Sequence, residues 1–170
     1  MNNVKLVWIT PEAEKHIAYC ARVSNPVNQD NPNTAKMLQY MVTHKHWSPF
    51  EMGSACLEIN TTRDIARQIL RHRSFSFQEF SQRYQDVSKL PEPEARECRL
   101  QDVKNRQSSL PTNDTETKSR WHEMQDVTNH LTAKLYREAL EMGVAKEVAR
   151  ALLPEGLTPS RMYMLSLIHI

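Results

Sequence analysis

Three glycines in 170 residues, Gly53, Gly143 and Gly156, constrain this chain more than any other feature. Dinucleotide fingerprints and phosphate-cradling loops need closely spaced glycines, because bare backbone must approach the phosphates. Neither can be written with glycines so far apart, so any nucleotide bound here is held largely by side chains. Arginine suits that task, since its planar fork donates two parallel bonds to phosphate oxygens.

The arginines are where that argument looks for them. The net charge is only +2, but Arg63, Arg67, Arg71, Arg73 and Arg83 face only Asp64 and Glu79 between residues 63 and 84. That window carries +3, so the rest of the chain sums to −1. A single focused cluster points to a compact anion, such as a phosphate monoester or a cofactor pyrophosphate, whereas a coating of positive charge points to nonspecific nucleic-acid binding.

Length and hydrophobic content (39%) fit one ordinary domain with its own core. No apolar run approaches the roughly 20 residues that cross a bilayer, and no membrane association is expected. The start lacks a secretory pattern and the cysteines, Cys20, Cys56 and Cys98, are scattered and odd in number, which fits a reducing cytoplasm. His44-Lys45-His46 has no suitably spaced carboxylate or cysteine ligands, so no metal is expected.

Periodicity predicts a strand in VKLVWIT and a helix from Pro11 as first helical residue through PEAEKHIAYCARVS. A turn-rich connection follows, and then a helix over TAKMLQYMVTHKHW with Met37, Leu38, Met41 and Val42 as its apolar stripe. GSACLEINTT alternates as a half-buried strand. Lys89 to about Asp114 reads as a polar, proline-dotted excursion with one short helix. The longest helix precedes Gly143, and a further one over VAKEVARALLP stops at Pro154.

Thr61 and Asp64 have the spacing of a capping box at the start of the helix that leads into the cluster. At 100° per residue Ile65, Ala66, Ile69 and Leu70 share one side; Asp64, Gln68, Arg71 and His72 share the other. Arg73 falls at the helix end or beyond. Phe75 and Phe77 then alternate with Ser74, Ser76 and Gln78, an extended segment anchored by its aromatics.

Arg71-His72-Arg73, seven further residues, Ser81, then Arg83-Tyr84 resembles the signature of flavin-dependent thymidylate synthases, the ThyX family, and Ser76 and Glu79 fit its usual extension. CARVS (20–24), HWSPFE (46–51), ARQILRHR (66–73) and VARALLP (148–154) resemble further family segments in the same order. Phe75 and Gln78 depart from the common residues at their positions while keeping the local character.

The resemblance implies an α+β fold, a twisted mainly antiparallel sheet flanked by helices, in one domain over residues 1–164. It implies conversion of dUMP to dTMP with methylenetetrahydrofolate as carbon donor, FAD as hydride carrier and NADPH as reductant, in a homotetramer. By motif position, Ser24, His46, Ser48, Arg71, His72, Arg73 and Glu79 would serve the flavin. Gln68, Ile69, Leu70, Arg71, Glu79, Phe80, Ser81, Gln82, Arg83 and Arg150 would serve dUMP. No catalytic residue is assigned within the chain, because the family's activating arginine falls in a later segment. The final LSLIHI (165–170) resembles a translated sequencing adapter rather than family sequence, so a non-native tail and little or no synthase activity are expected.

A rival reading takes Arg63, Arg67, Arg71 and Arg73 as a single-stranded nucleic-acid platform with Phe75 and Phe77 stacking on bases.

Overall fold

The structure is a computed structural model that describes residues 2–92 and 94–167, with the backbone alone at Leu167. In chain order the elements are β1 (Asn3–Ile9), α1 (Ala13–Ala21), α2 (Thr34–Thr43), β2 (Ser54–Thr62), α3 (Arg63–Ile69), β3 (Ser76–Glu79), β4 (Arg99–Gln101), β5 (Ser109–Pro111), α4 (Thr115–Glu141), α5 (Lys146–Ala149) and β6 (Pro159–Leu167). The chain alternates between two compact units. The first comprises Asn3–Ile59, Gln68–Glu79 and the residues from Arg161; the second comprises Asn60–Arg67 and Phe80–Ser160, with Asn2.

In the first unit the strands are ordered β1-β2-β6-β3, and β3 runs antiparallel to β6. Phe77 lies opposite Met164 and Glu79 opposite Met162, so the predicted alternation holds: Phe75 and Phe77 are half-buried while Ser76 and Gln78 are exposed. Residues 165–167, expected in a tail, continue β6, with Leu165 opposite Ser76. Residues 168–170 of that expected tail lie outside the described residues.

Helices α1 and α2 form a small core of Ile17, Met41 and Phe50, flanked by Ala21, Met37 and Leu38. Val42, expected in the stripe, is exposed. Helix α1 also starts later than expected, at Ala13, after Glu12 in the left-handed region with φ 46°. The cause is Thr10, whose N–H donates to the Ser54 carbonyl (2.9 Å) while its hydroxyl accepts the Ser54 N–H (2.9 Å). That pairing keeps the chain extended through Thr10, so Pro11 and Glu12 make the turn.

The second unit is organised by α4, whose C-terminal end carries the predicted glycine. Asp114 caps the start, its carboxylate accepting the N–H of Glu116 (3.0 Å) and of Thr117 (3.4 Å). Gly143, φ 85°, ends it in a Schellman motif: its N–H reaches the Leu140 carbonyl and the Val144 N–H reaches Ala139, both at 3.0 Å. Tyr136, Val87 and Ala149 form the core beneath. The helix expected over 144–154 is one α turn, α5, tightened to a 3-10 turn at Arg150–Leu152. Val144 is spent in the Schellman motif, and Pro154 biases Leu153 out of the helical region (ψ 120°).

The excursion holds no α-helix among its described residues. It contains the antiparallel β4–β5 hairpin, with Leu100 opposite Leu110. Side chains bonding to nearby backbone explain the difference. Asp102 accepts the N–H of Lys104 (2.8 Å) and Asn105 (3.2 Å), and the Gln101 amide donates to the Ser108 carbonyl (3.1 Å). No helix among the described residues is long and apolar enough to cross a membrane.

Candidate functional site

The expected capping box does not form at the start of α3. Thr61 donates instead to the Asn2 side chain (3.1 Å), and the first helical N–H groups find acceptors far along the chain. Arg63 N–H donates to the Thr158 carbonyl (2.9 Å) and Asp64 N–H to that of Glu155 (3.3 Å). The turn supplying those carbonyls is closed by the Thr158 hydroxyl on the Pro154 carbonyl (2.7 Å).

A second fastening comes from the excursion. The Arg96 guanidinium donates to the Asp64 carboxylate (2.6 Å) and to the Thr62 hydroxyl (2.7 Å), and that hydroxyl donates to the same carboxylate (2.6 Å). Burial alone would push the Asp64 carboxyl up; the bonds from Thr62 and Arg96 and the Arg96 charge outweigh it and hold the carboxyl below its ordinary range. Arg96 is itself gripped by its backbone. Its N–H donates to the Gln125 amide oxygen (2.7 Å), and its carbonyl accepts from Gln125 Nε2 (3.1 Å) and Trp121 Nε1 (2.9 Å).

Helix α3, so fixed, presents Arg63 and Arg67, one turn apart, to a cavity of about 480 Å³ in the second unit. Arg150, Gln82, Glu147 and Glu155 also line it. Three guanidiniums therefore meet two carboxylates, and Gln82, only 7% exposed, adds an amide. The Arg150 Nε donates to the Glu147 carbonyl (3.0 Å). Arg67 pairs with Glu155 (2.6 Å) and Arg83 with Glu147 (3.1 Å).

Of the residues expected to serve dUMP, the structure thus brings Gln82 and Arg150 to one cavity, with Arg83 bonded to a residue of its wall. Ser81 is exposed, its carbonyl accepting the N–H groups of Tyr84 (3.2 Å) and Gln85 (3.0 Å) to shape the turn that holds Gln82; Phe80 is half-buried. Gln68, Ile69, Leu70 and Glu79 belong to the first unit, Gln68 exposed and the other three half-buried.

In that unit Arg71, His72 and Arg73 all lie beyond α3, exposed in a turn begun by Arg71 N–H on the Gln68 carbonyl (3.3 Å). The His72 ring stacks on Phe75, centroids 4.4 Å apart. Ser24, His46 and Ser48 are exposed. His46 occupies the end of a Schellman motif on α2, its N–H on the Met41 carbonyl (2.8 Å), after Lys45 at φ 58°. No group of three or more metal-ligating side chains occurs among the described residues.

Sequence reasoning did not assign Arg63, Arg67, Glu147 and Glu155 to a ligand cavity. The four-residue spacing of Arg63 and Arg67 and the three-residue spacing of Glu147 and Arg150 were the available signals.

The model of the thymidylate synthase complementing protein family matches residues 5–166. The chain is 55% identical over 148 residues to the flavin-dependent thymidylate synthase of Synechocystis sp., covering 87% of this chain and 66% of that one. It is 51% identical over 153 residues to a probable flavin-dependent thymidylate synthase of Paramecium bursaria Chlorella virus 1, covering 89% and 69%. It therefore spans about two thirds of the length of these relatives. Among solved structures, the UMP/dUMP methylase PolB of Streptomyces cacaoi bound with 5-Br UMP superposes with a TM-score of 0.82 at 25% identity, over 99% of this chain and 72% of that one. With its signature and its α+β architecture in agreement, the chain belongs to the thymidylate synthase complementing protein family.

Proposed function

We propose that this chain supplies nucleotide- and flavin-binding residues for the flavin-dependent methylation of dUMP to dTMP, with methylenetetrahydrofolate as carbon donor and NADPH as reductant, and by itself has little or no synthase activity. The observation that carries the reading is the cavity of the second unit. A phosphate monoester is doubly charged near neutral pH, and Arg63, Arg67 and Arg150 converge where two carboxylates leave a net positive charge. Gln82 supplies an uncharged donor and acceptor in the same wall. The names of the relatives and the dUMP-methylase description of the structural neighbour support the substrate.

The first unit offers residues that suit a flavin dinucleotide. Arg71 and Arg73 present exposed cations for a pyrophosphate, and the His72–Phe75 stack is a flat surface for an aromatic ring. FAD, when bound, supplies hydride transfer; Arg71, His72 and Arg73 bind and orient it. Ser24, His46, Ser48 and Glu79 are its further contacts by motif position. By motif position the Phe80–Arg83 turn orients the nucleotide, and Arg150 holds its phosphate. Trp121, Met124, Leu131 and Leu135 are exposed at helical spacing on α4, which supports assembly into the homotetramer that the resemblance implies. The cytoplasm is the proposed location.

The nucleic-acid reading needs its cations free along an open stripe. Of its four arginines Arg67 is instead engaged by Glu155, and the names of the relatives and of the structural neighbour favour a nucleotide substrate.

Calorimetric titration tests the proposal with dUMP, deoxyuridine and FAD. dUMP should bind far more tightly than deoxyuridine, and FAD should bind with a change in its visible spectrum. Arg150→Ala should weaken dUMP about 10- to 100-fold, the range of one charge-assisted contact, and leave deoxyuridine unchanged. Equal binding of dUMP and deoxyuridine would overturn the reading.

A further inference from the structure

We propose that Glu155 is a resident counter-anion of the cavity: its carboxylate holds Arg67 until the ligand's phosphate takes that guanidinium, and so it sets the affinity for phosphorylated ligands. The inference rests on the reading of the cavity as a phosphate site.

Three observations combine. First, Arg67 and Glu155 both line the cavity, and their 2.6 Å ion pair forms within its wall. Second, the pair is weakly held. The side chains are 57% and 47% exposed, and a pair so exposed contributes about 0–1 kcal/mol. Exchanging that partner for a dianion that accepts two parallel bonds from the guanidinium is favourable. Third, the two backbones are fixed while the side chains are not. The Glu155 carbonyl accepts the Asp64 N–H (3.3 Å), and α3 is clamped by Arg96 on Asp64 (2.6 Å). Arg67 can thus change partner by side-chain rotation, with α3 unmoved. Asp64 differs from Glu155 in kind: the Thr62 hydroxyl (2.6 Å) as well as Arg96 holds its carboxylate, and it does not line the cavity.

The exchange moves no proton and breaks no covalent bond. Glu155 swings toward solvent, a phosphate oxygen replaces its carboxylate on Arg67, and a neutral nucleoside gains nothing from the exchange.

The test uses Glu155→Gln in the full 170-residue chain, with inorganic phosphate, dUMP and deoxyuridine as probes. The expected result is tighter binding of phosphate and dUMP, about threefold to tenfold, from a lost repulsion and a released guanidinium. Deoxyuridine should be unchanged. The substitution leaves the backbone cap on Asp64 in place, so the variant should melt within about 4 °C of the parent. The side-chain Nε–H resonance of Arg67 gives a readout that a merely structural pair would not move: it should shift when phosphate is added to the parent chain. Phosphate responses at Arg150 without one at Arg67, or a Glu155→Gln variant that binds dUMP no more tightly, would overturn the role of Glu155 alone. Absence of any phosphate response at Arg150 and Arg67 would overturn the cavity reading and this inference together.

Discussion

Arg96→Met removes a guanidinium that joins the excursion to the start of α3, and its consequence can be worked from the geometry. Arg96 makes two charge-assisted bonds, to Asp64 (2.6 Å) and Thr62 (2.7 Å). Such bonds are worth about 1.5–3 kcal/mol when well buried. The side chains of Arg96 and Asp64 are 38% and 29% exposed, so solvent screening reduces the expected loss to about 1–2 kcal/mol. For a chain of this size that is a fall in Tm of about 2–8 °C. Urea unfolding followed by Trp121 fluorescence measures it locally, because Trp121 Nε1 donates to the Arg96 carbonyl (2.9 Å) while Trp8 and Trp47 belong to the other unit. Replacing those two tryptophans by phenylalanine isolates the signal. A double-mutant cycle with Asp64→Asn should return a coupling of about 1 kcal/mol. The Asp64 carboxyl is held below its unfolded value, so its contribution is complete above about pH 4 and fades as pH falls through the depressed folded value. The Arg96→Met deficit should therefore shrink in acid. A coupling under about 0.3 kcal/mol, or a deficit that persists unchanged below the folded pKa, would show that Arg96 acts by packing and would refute the electrostatic account.

Two further outcomes are expected in the same assays. Gln125→Leu removes the amide that accepts the Arg96 N–H, leaving that donor unpaired while Trp121 still serves the carbonyl; the loss should be about 1–3 kcal/mol, with faster hydrogen exchange at the Arg96 amide. The two Schellman motifs should respond with opposite signs in urea unfolding. Gly143→Ala, at φ 85° with no heavy atom within 4 Å of the added methyl group, should destabilise by about 1 kcal/mol through backbone strain alone, whereas Lys45→Gly, at φ 58°, should stabilise by about 0.5–1 kcal/mol.

What could be read from the sequence divides by the distance along the chain of the partner that decides each feature. Gly143 ends α4 as predicted because its partners lie within five residues, and the Phe75/Phe77 alternation survives because a strand period is local. Thr61 and Asp64 had the right spacing for a cap. They lost to Asn2, Glu155 and Thr158, none of which a local window contains. Arg96 gave no signal at all, since the residues that define it, Thr62, Asp64 and Gln125, are about thirty positions away in either direction. The resemblance named Gln82 from the signature and Arg150 from VARALLP, and the fold brings both to one cavity, whereas the arginines beside them at 63 and 67 were visible only as charge.

Charge counted along the chain also overstates the field at the site. The window from residue 63 to 84 carries +3, yet the cavity built partly from it draws Glu147 and Glu155 from the far side of α4 in the sequence. Those carboxylates, each paired with an arginine of that window, leave a modest positive excess. Unopposed, three clustered guanidiniums would repel one another and draw anions indiscriminately. With two counter-anions already seated, a ligand must offer an arginine more than a carboxylate does, and a dianion whose oxygens match the guanidinium fork meets that condition where a monoanion does not. On the proposed reading, selectivity for a phosphate monoester is a property of the folded cavity: the arginines supply attraction, and the glutamates set the threshold that an incoming anion must exceed.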